Sequence, residues 1–221
     1  MLLDSSQWKI KQKADSGDQQ AQIDMLRNMR HQYNNTSAMN YCLSIINSEC
    51  KIEACSYLYA HTLLATMYLD GEEYVKALAV YQKAKLFMEE HVPTHQWDVD
   101  VYEHIIQLSK MFSLLEKADS GDQQALYDMG IGWQQGDFLY DSDRKAVDFF
   151  SQVIAEPCQI KFDNYIYAHQ FVAWCKEANN LYAEAVNIYN KAKDFMESQL
   201  PPDKWQLDIY DNIINAELYI T

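Results

Sequence analysis

The sequence predicts an all-α protein built from antiparallel helix pairs, and three observations support this fold class. Its 221 residues include only 6 Gly and 4 Pro, so long segments lack the residues that interrupt helices. Within these segments, apolar side chains recur at spacings of three and four residues, which is the period of an α-helix. Two long stretches of the chain also repeat each other.

The repeat is visible as identical strings at nearly constant spacing. KADSGDQQA occurs at 13–21 and again at 117–125, a shift of 104 residues. Residues 57–106 align with 165–214 at a shift of 108, and 20 of the 50 aligned positions are identical. Chance identity would be far lower, so the sequence predicts two tandem copies of a unit of about 104–108 residues.

The change of shift from 104 to 108 locates four extra residues in the second copy. They fall between Ala125 and Ala146, where the composition predicts a turn or loop, because insertions are tolerated in surface loops. We therefore place the first unit at 1–116 and the second at 117–221, as parts of one continuous array.

The first helix start in each copy follows a turn. Ser120, Gly121 and Asp122 have turn composition, and Asp122 is expected to cap the helix that follows because its carboxylate accepts from backbone N–H groups. Asp18 is the matching cap in the first copy.

Three further helices are predicted in the first copy from their apolar stripes. They cover 57–70, 74–88 and 97–114. Pro93 and Pro201 occupy matching positions, and each is expected to end the helix before it. The last helix of the second copy is predicted at 205–219. Each copy thus contains about five helices and no strand.

The charge of the chain bears on its partners. With 18 basic and 32 acidic residues, the net charge is −14. A surface this negative repels phosphate backbones and anionic lipids, so we expect neither a nucleic acid nor a membrane partner. A protein with a basic surface is favoured. The alternative is that the charge only keeps the protein soluble.

Cysteine usage and the N-terminal residues predict a cytoplasmic protein. The five cysteines are odd in number and include no CxxC pair, which indicates a reducing compartment. The start MLLDSSQWKIKQK lacks the cationic and apolar regions of a signal peptide, and no apolar run reaches the ~20 residues that cross a bilayer.

Motifs for catalysis and for metal binding are missing from the sequence. It contains no HExxH, no GxSxG and no glycine-rich phosphate loop, so we expect no enzyme, no cofactor and no metal site. His61 and His169 occupy matching positions in the two copies. We expect each to be a neutral, hydrogen-bonded structural residue.

The second copy resembles the Sel1-like repeat over about 118–154. The matching positions are Ala118, Gly121, Ala125, Met129, Gly130, Trp133, Gly136, Asp143, Lys145, Ala146, Phe149 and Phe150. In the first copy, Gly130 and Gly136 have no counterparts. Because these two glycines are missing, the first copy resembles the Sel1-like repeat less closely.

The helix pair that follows is similar to the tetratricopeptide repeat. Its small residues are Ala65, Ala77 and Ala84 around Tyr81 in the first copy, and Ala173, Ala185 and Ala192 around Tyr189 in the second. This resemblance implies an α-α superhelix, or solenoid, whose concave face binds peptides or proteins. The binding positions that it implies are Tyr59, Thr62, Thr66, Tyr167, Gln170 and Trp174. Alternatively, Tyr59, Tyr167 and Trp174 pack between neighbouring repeats.

Two functional hypotheses follow. The first is a protein that neutralises or escorts one specific partner, such as a bacterial immunity protein that covers a basic toxin. The second is an adaptor that holds an extended peptide, which would depend more on Trp174 and Tyr59 than on the charges of Glu177 and Asp70. The apolar C-terminal helix either packs back on the preceding pair or meets a second copy of the chain.

Overall fold

The computed structural model describes residues 5–29, 36–138 and 142–220. This part of the chain holds eleven α-helices, two single 3₁₀ turns and no strand, so the predicted all-α class is confirmed. The helices are α1 (Ser5–Asp15), α2 (Gln19–Asn28), α3 (Thr36–Ile46), α4 (Ala54–Asp70), α5 (Tyr74–His91), α6 (Val99–Asp119), α7 (Gln123–Gln134), α8 (Asp143–Ala155), α9 (Phe162–Ala178), α10 (Tyr182–Gln199) and α11 (Asp208–Glu217).

The chain divides into two compact units, 1–109 and 110–221, which are called the first and second unit below. In the first unit, each of α2, α3, α4 and α5 packs against the helix before it, and in the second unit the same holds for α8 to α11. Only three residues separate α4 from α5, and α9 from α10. Because so short a link cannot carry the chain to the far end of a helix, these pairs are antiparallel. The division between the units falls within α6, as does the boundary expected at 116/117.

The two predicted helix caps are confirmed. Asp18 Oδ1 accepts a hydrogen bond from the Ala21 N–H at 3.0 Å, and Asp122 Oδ1 accepts from the Ala125 N–H at 3.0 Å. The glycine before each cap has a positive φ of about 90° (Gly17 92°, Gly121 88°), a backbone conformation that other residues adopt only at a cost. The Gly-Asp pair therefore turns the chain and starts the next helix.

A buried glutamine next to each cap ties that helix start to backbone groups near the end of the next helix. Gln19 Nε2 donates to the Glu49 carbonyl at 2.9 Å, while its Oε1 accepts from the Lys51 N–H at 2.9 Å. In the second unit, Gln123 Nε2 donates to the Val153 carbonyl at 2.8 Å, and Oε1 accepts from the Gln159 N–H at 2.6 Å. Each amide thus supplies both a donor and an acceptor to these backbone groups.

The two long hairpins end in the same way. The helices α5 and α10 stop at His91 and Gln199, two residues before Pro93 and Pro201, as predicted. A single 3₁₀ turn follows each proline, Thr94–Gln96 in the first unit and Pro202–Lys204 in the second. The tryptophan after that turn folds back and donates to a backbone carbonyl: Trp97 to Val92 at 2.9 Å, and Trp205 to Leu200 at 3.0 Å.

Small residues form the interface of the α9–α10 hairpin. Ala173, Ala185 and Ala192 are fully buried and cluster with Tyr189, which is 1% exposed. Ile166, Met196, Ile209 and Ile213 complete this core, which reaches from α9 to α11. The corresponding alanines of the α4–α5 hairpin, Ala65, Ala77 and Ala84, are fully buried too.

The last described helix, α11, packs back on α10. Ile209, Ile213 and Ala216 are buried on that side, and the Tyr219 ring beyond the helix stacks on Tyr182 at 4.8 Å. Ile214 and Leu218 remain exposed on the other side. Packing against α10 therefore buries one apolar face of α11 and leaves the other exposed.

The two glycines of α7 make room for aromatic rings. A Cβ atom on Gly130 would lie 2.6 Å from Phe150 Cε1, and one on Gly132 would overlap the Phe138 ring. Both rings are fully buried. Residues 139–141 of the predicted loop lie outside the described residues; beyond them Ser142 caps α8 by accepting from the Lys145 N–H.

We expect Gly130→Ala to lower the free energy of unfolding by about 1–3 kcal/mol, because the added methyl group overpacks against Phe150. Urea unfolding followed by circular dichroism measures the change. The control is Gly71→Ala, whose Cβ would have its nearest neighbour at 3.5 Å. Equal stabilities of the two variants would contradict the assigned contact.

Two buried histidines occupy matching positions. His61 Nδ1 lies 3.1 Å from the Tyr57 carbonyl, and His169 Nδ1 lies 3.0 Å from the Tyr165 carbonyl, so Nδ1 carries the proton that is donated. Burial lowers the pKa of both imidazoles, and Lys83 or Lys191 adds to the effect, although the bond to the carbonyl opposes it. Both side chains are 2% exposed, as expected for structural histidines.

We expect these histidines to make stability depend on pH. Since their pKa is lower in the folded state than the ordinary 6.5, the unfolded chain binds protons that the folded chain does not. Their contribution is therefore complete above about pH 6.5 and is lost as the pH falls through the folded-state pKa. The melting temperature of the double variant His61→Asn/His169→Asn should fall less steeply below pH 6.5 than that of the wild type. Parallel profiles would contradict this.

Candidate binding site

The six predicted binding residues lie on two equivalent helices, three on α4 and three on α9. Their exposure follows the same order in both units. Tyr59 and Thr62 are half-buried and Thr66 is exposed on α4. On α9, Tyr167 and Gln170 are half-buried, and Trp174 is 51% exposed.

The three residues of the second unit come together at one cleft. Tyr167, Gln170 and Trp174 line an open depression of about 260 Å³. The other residues that line it are Phe171, Glu177, Tyr189, Asp208 and Asn212. This cleft is formed by α9, α10 and α11, and we call it the α9 cleft.

One side of the α9 cleft is aromatic. The Trp174 ring packs beside Phe171 at 5.8 Å, and Phe171 lies 6.3 Å from Tyr167. Tyr167 in turn contacts Phe150 of α8 at 5.9 Å, and its hydroxyl donates to Gln134 Oε1 at 2.8 Å. Tyr167 and Phe171 are therefore held by packing within the unit, and Trp174 is the exposed end of the cluster.

The other side of the cleft is acidic. Gln170 Nε2 donates to Asp208 Oδ2 at 2.9 Å, which orients that carboxylate at the start of α11. Burial raises the pKa of Glu177, while a hydrogen bond from the Tyr189 hydroxyl opposes the rise. Burial also raises the pKa of Tyr189, and the charges of Glu177 and Asp208 raise it further. Tyr189 thus remains a neutral donor.

The equivalent surface of the first unit has different chemistry. Trp174 is replaced by Thr66, and Glu177 by Leu69. The Thr66 hydroxyl donates to the Thr62 carbonyl of its own helix at 2.9 Å. His104, at the position of Asn212, stacks on Tyr81 with ring centroids 4.8 Å apart. The surface around Tyr59, Thr62 and Thr66 therefore lacks the exposed indole and a counterpart of Glu177. Burial raises the pKa of Tyr81 there, and the charges of Asp98 and Asp100 raise it further.

Sequence reasoning did not identify the remaining residues of the cleft. Phe171 and Glu177 lie on the same face of α9 as Gln170 and Trp174, so the 3.6-residue period of the helix was sufficient to place them on this surface. Asp208 is 38 residues from Gln170 along the chain, and only the packing of α11 brings it there. Tyr189 was expected in the core, and it contributes to both the core and the cleft.

Other reactive groups are few in the described parts of the chain. No set of three or more His, Cys, Asp or Glu residues there is placed to hold a metal ion. The five cysteines are free, and burial raises the pKa of Cys42 to about 12 and that of Cys175 to about 11. None of the described helices combines the length and the apolar character needed to span a membrane.

Comparison with known proteins gives no relative: no family model, no curated protein and no solved structure matches the chain. The resemblance to Sel1-like and tetratricopeptide repeats therefore stays a prediction that rests on the motif positions. The α9 cleft has to be interpreted from its own geometry and chemistry.

We expect Tyr189→Phe to raise the pKa of Glu177, because the change removes the hydroxyl that stabilises the carboxylate. Carboxyl ¹³C NMR titration, with the Glu177 signal assigned from Glu177→Gln, measures the shift. Tyr81→Phe, the matching change in the first unit, should leave this pKa unaltered. An unchanged titration in Tyr189→Phe would show that the hydroxyl does not bond to Glu177.

Proposed function

We propose that this chain is a non-catalytic helical-repeat protein that binds one specific partner protein with a basic surface through the α9 cleft. The observation that carries the proposal is the exposed Trp174 beside the carboxylates of Glu177 and Asp208. Exposed aromatic residues next to polar groups are typical of binding hot spots. None of the eight described residues that line the cleft carries a positive charge.

We further propose that the two units are copies of one helix-stacking unit in an α-α superhelix. Support comes from bonds that recur 108 residues apart. His61 and His169, Trp97 and Trp205, and Lys85 and Lys193 make equivalent contacts in their own units. Because each hairpin and the turn after it repeat the same bonds, a duplicated scaffold explains them most simply.

The proposed role is to neutralise or escort the partner in the cytoplasm, as a bacterial immunity protein does for a toxin. A net charge of −14 would speed the encounter with a basic protein through long-range attraction. The role is non-catalytic because the sequence carries no motif for a nucleophile, a phosphate loop or a catalytic metal.

Affinity purification from the native cell tests the proposal, with wild-type, Trp174→Thr and Val75→Thr proteins as baits. Thr is the residue that the first unit carries at the position of Trp174, and Val75 is an apolar residue of α5 that is 70% exposed. We expect a basic protein to be captured by the wild type and by Val75→Thr. Its dissociation constant should rise at least about thirtyfold with Trp174→Thr, since removal of a hot-spot residue costs about 2 kcal/mol or more.

The purified partner then separates the possible roles. Neutralisation predicts stoichiometric loss of the partner's activity and binding that weakens as salt is added. An adaptor would instead bind an extended segment of the partner, reproduced by a synthetic peptide, without affecting its activity. Capture of an acidic protein, or binding that is indifferent to Trp174, would contradict the proposal.

A further inference from the structure

We infer that the α9 cleft receives the guanidinium group of an arginine side chain from the partner. The inference rests on the proposed function, because it specifies which chemical group of a basic protein enters the cleft. It follows from the exposed indole of Trp174, the carboxylates of Glu177 and Asp208, and the size of the depression.

The two carboxylates keep capacity for a cationic donor. Asp208 accepts one hydrogen bond from Gln170 through Oδ2, and Glu177 accepts one from Tyr189. A carboxylate provides about four lone-pair sites, so each of these bonds uses only part of its capacity. The bond from Gln170 also orients the Asp208 carboxylate before any ligand arrives, which reduces the entropy lost on binding.

The indole of Trp174 gives the cleft a planar apolar surface next to these charges. It is 51% exposed, and Phe171 packs beside it at 5.8 Å with an interplanar angle of 49°. A guanidinium is planar and weakly hydrated, so it stacks on an aromatic face while its N–H groups bond to carboxylates. An ammonium is a strongly hydrated point charge and gains less from such a surface.

The size of the cleft fits one long side chain. Its volume of about 260 Å³ is below the range of about 300–1,000 Å³ that holds drug-sized ligands. We therefore assign it to a single anchoring side chain. The surrounding contact area has to come from the remainder of the partner's surface.

The first unit provides an internal comparison for this assignment. The equivalent helices there, α4 and α6, carry Thr66, Leu69 and His104 in place of Trp174, Glu177 and Asn212. The His104 ring covers Tyr81, at 4.8 Å and 18°. Only Asp100, the counterpart of Asp208, is retained. The α4 surface therefore lacks the exposed indole and a counterpart of Glu177, and its acidic groups near Tyr81 are Asp98 and Asp100.

The test is an NMR titration of the whole chain with short oligo-arginine, oligo-lysine and oligo-glutamate peptides of equal length. The indole N–H resonance of Trp174, assigned from its loss in Trp174→Thr, reports occupancy of the cleft. We expect oligo-arginine to shift this resonance and to bind at least about fivefold more tightly than oligo-lysine, as a cation–π contact of about 1 kcal/mol implies. Oligo-glutamate should produce no shift.

Two variants distinguish binding in the α9 cleft from nonspecific attraction of a cationic peptide to an acidic protein. Glu177→Gln keeps the shape of the cleft and should weaken oligo-arginine binding. The triple variant Trp174→Thr/Glu177→Leu/Asn212→His carries the residues of the first unit and should bind the arginine and lysine peptides equally. Circular dichroism and thermal unfolding check that each variant is folded.

The outcomes distinguish this inference from the proposed function. Equal affinity for the arginine and lysine peptides in the wild type, or an unshifted Trp174 resonance, would overturn the arginine assignment. Partner capture that still required Trp174 would leave the proposed function standing. Oligo-arginine could instead occupy the cleft while the Trp174→Thr protein captured the partner as well as the wild type did. The arginine assignment would then stand, and the proposed function would fail.

Discussion

The close approach of α9 and α10 around Tyr189 is the contact on which the second unit and its cleft depend. Ala173, Ala185 and Ala192 have side chains small enough to leave space for this one large ring. The ring is buried, and Tyr189 lines the cleft together with Glu177. A larger side chain at any of these alanine positions would push the two helices apart and displace the Tyr189 hydroxyl. The core therefore also sets the geometry of the acidic side of the α9 cleft.

The two hairpins show how one scaffold carries two different surfaces. Buried contacts recur in both units, including the bonds made by His61 and His169 to the carbonyl one helical turn earlier. The exposed positions differ, because a side chain in solvent has few packing restraints. In the first unit, the His104 imidazole stacks on Tyr81 and the Thr66 hydroxyl bonds to the Thr62 carbonyl, so both groups are used within the unit. In the second unit, the indole of Trp174 and a second carboxylate remain open to a ligand.

Much of the fold follows from local sequence signals. The caps at Asp18 and Asp122, and the helix ends before Pro93 and Pro201, each depend on a few neighbouring residues, and the structure confirms them. The α9 cleft depends partly on long-range packing. The helical stripe placed Tyr167, Gln170 and Trp174 on one surface, but the position of Asp208 required the fold of α11 onto α10. Exposure of Trp174 likewise depends on which helices cover α9, and a single-sequence pattern does not contain that information.

The glutamine bonds at Gln19 and Gln123 have a consequence for how the chain folds. Each joins a helix start to a carbonyl only 30 residues further along the chain, within one pair of packed helices. Contacts of such short sequence separation require little loop closure, and chains dominated by them reach the native state rapidly. A ribosome that had released little more than one hairpin beyond either glutamine would already have supplied both partners of the bond. Assembly during synthesis can therefore proceed from the first unit to the second without waiting for the end of the chain.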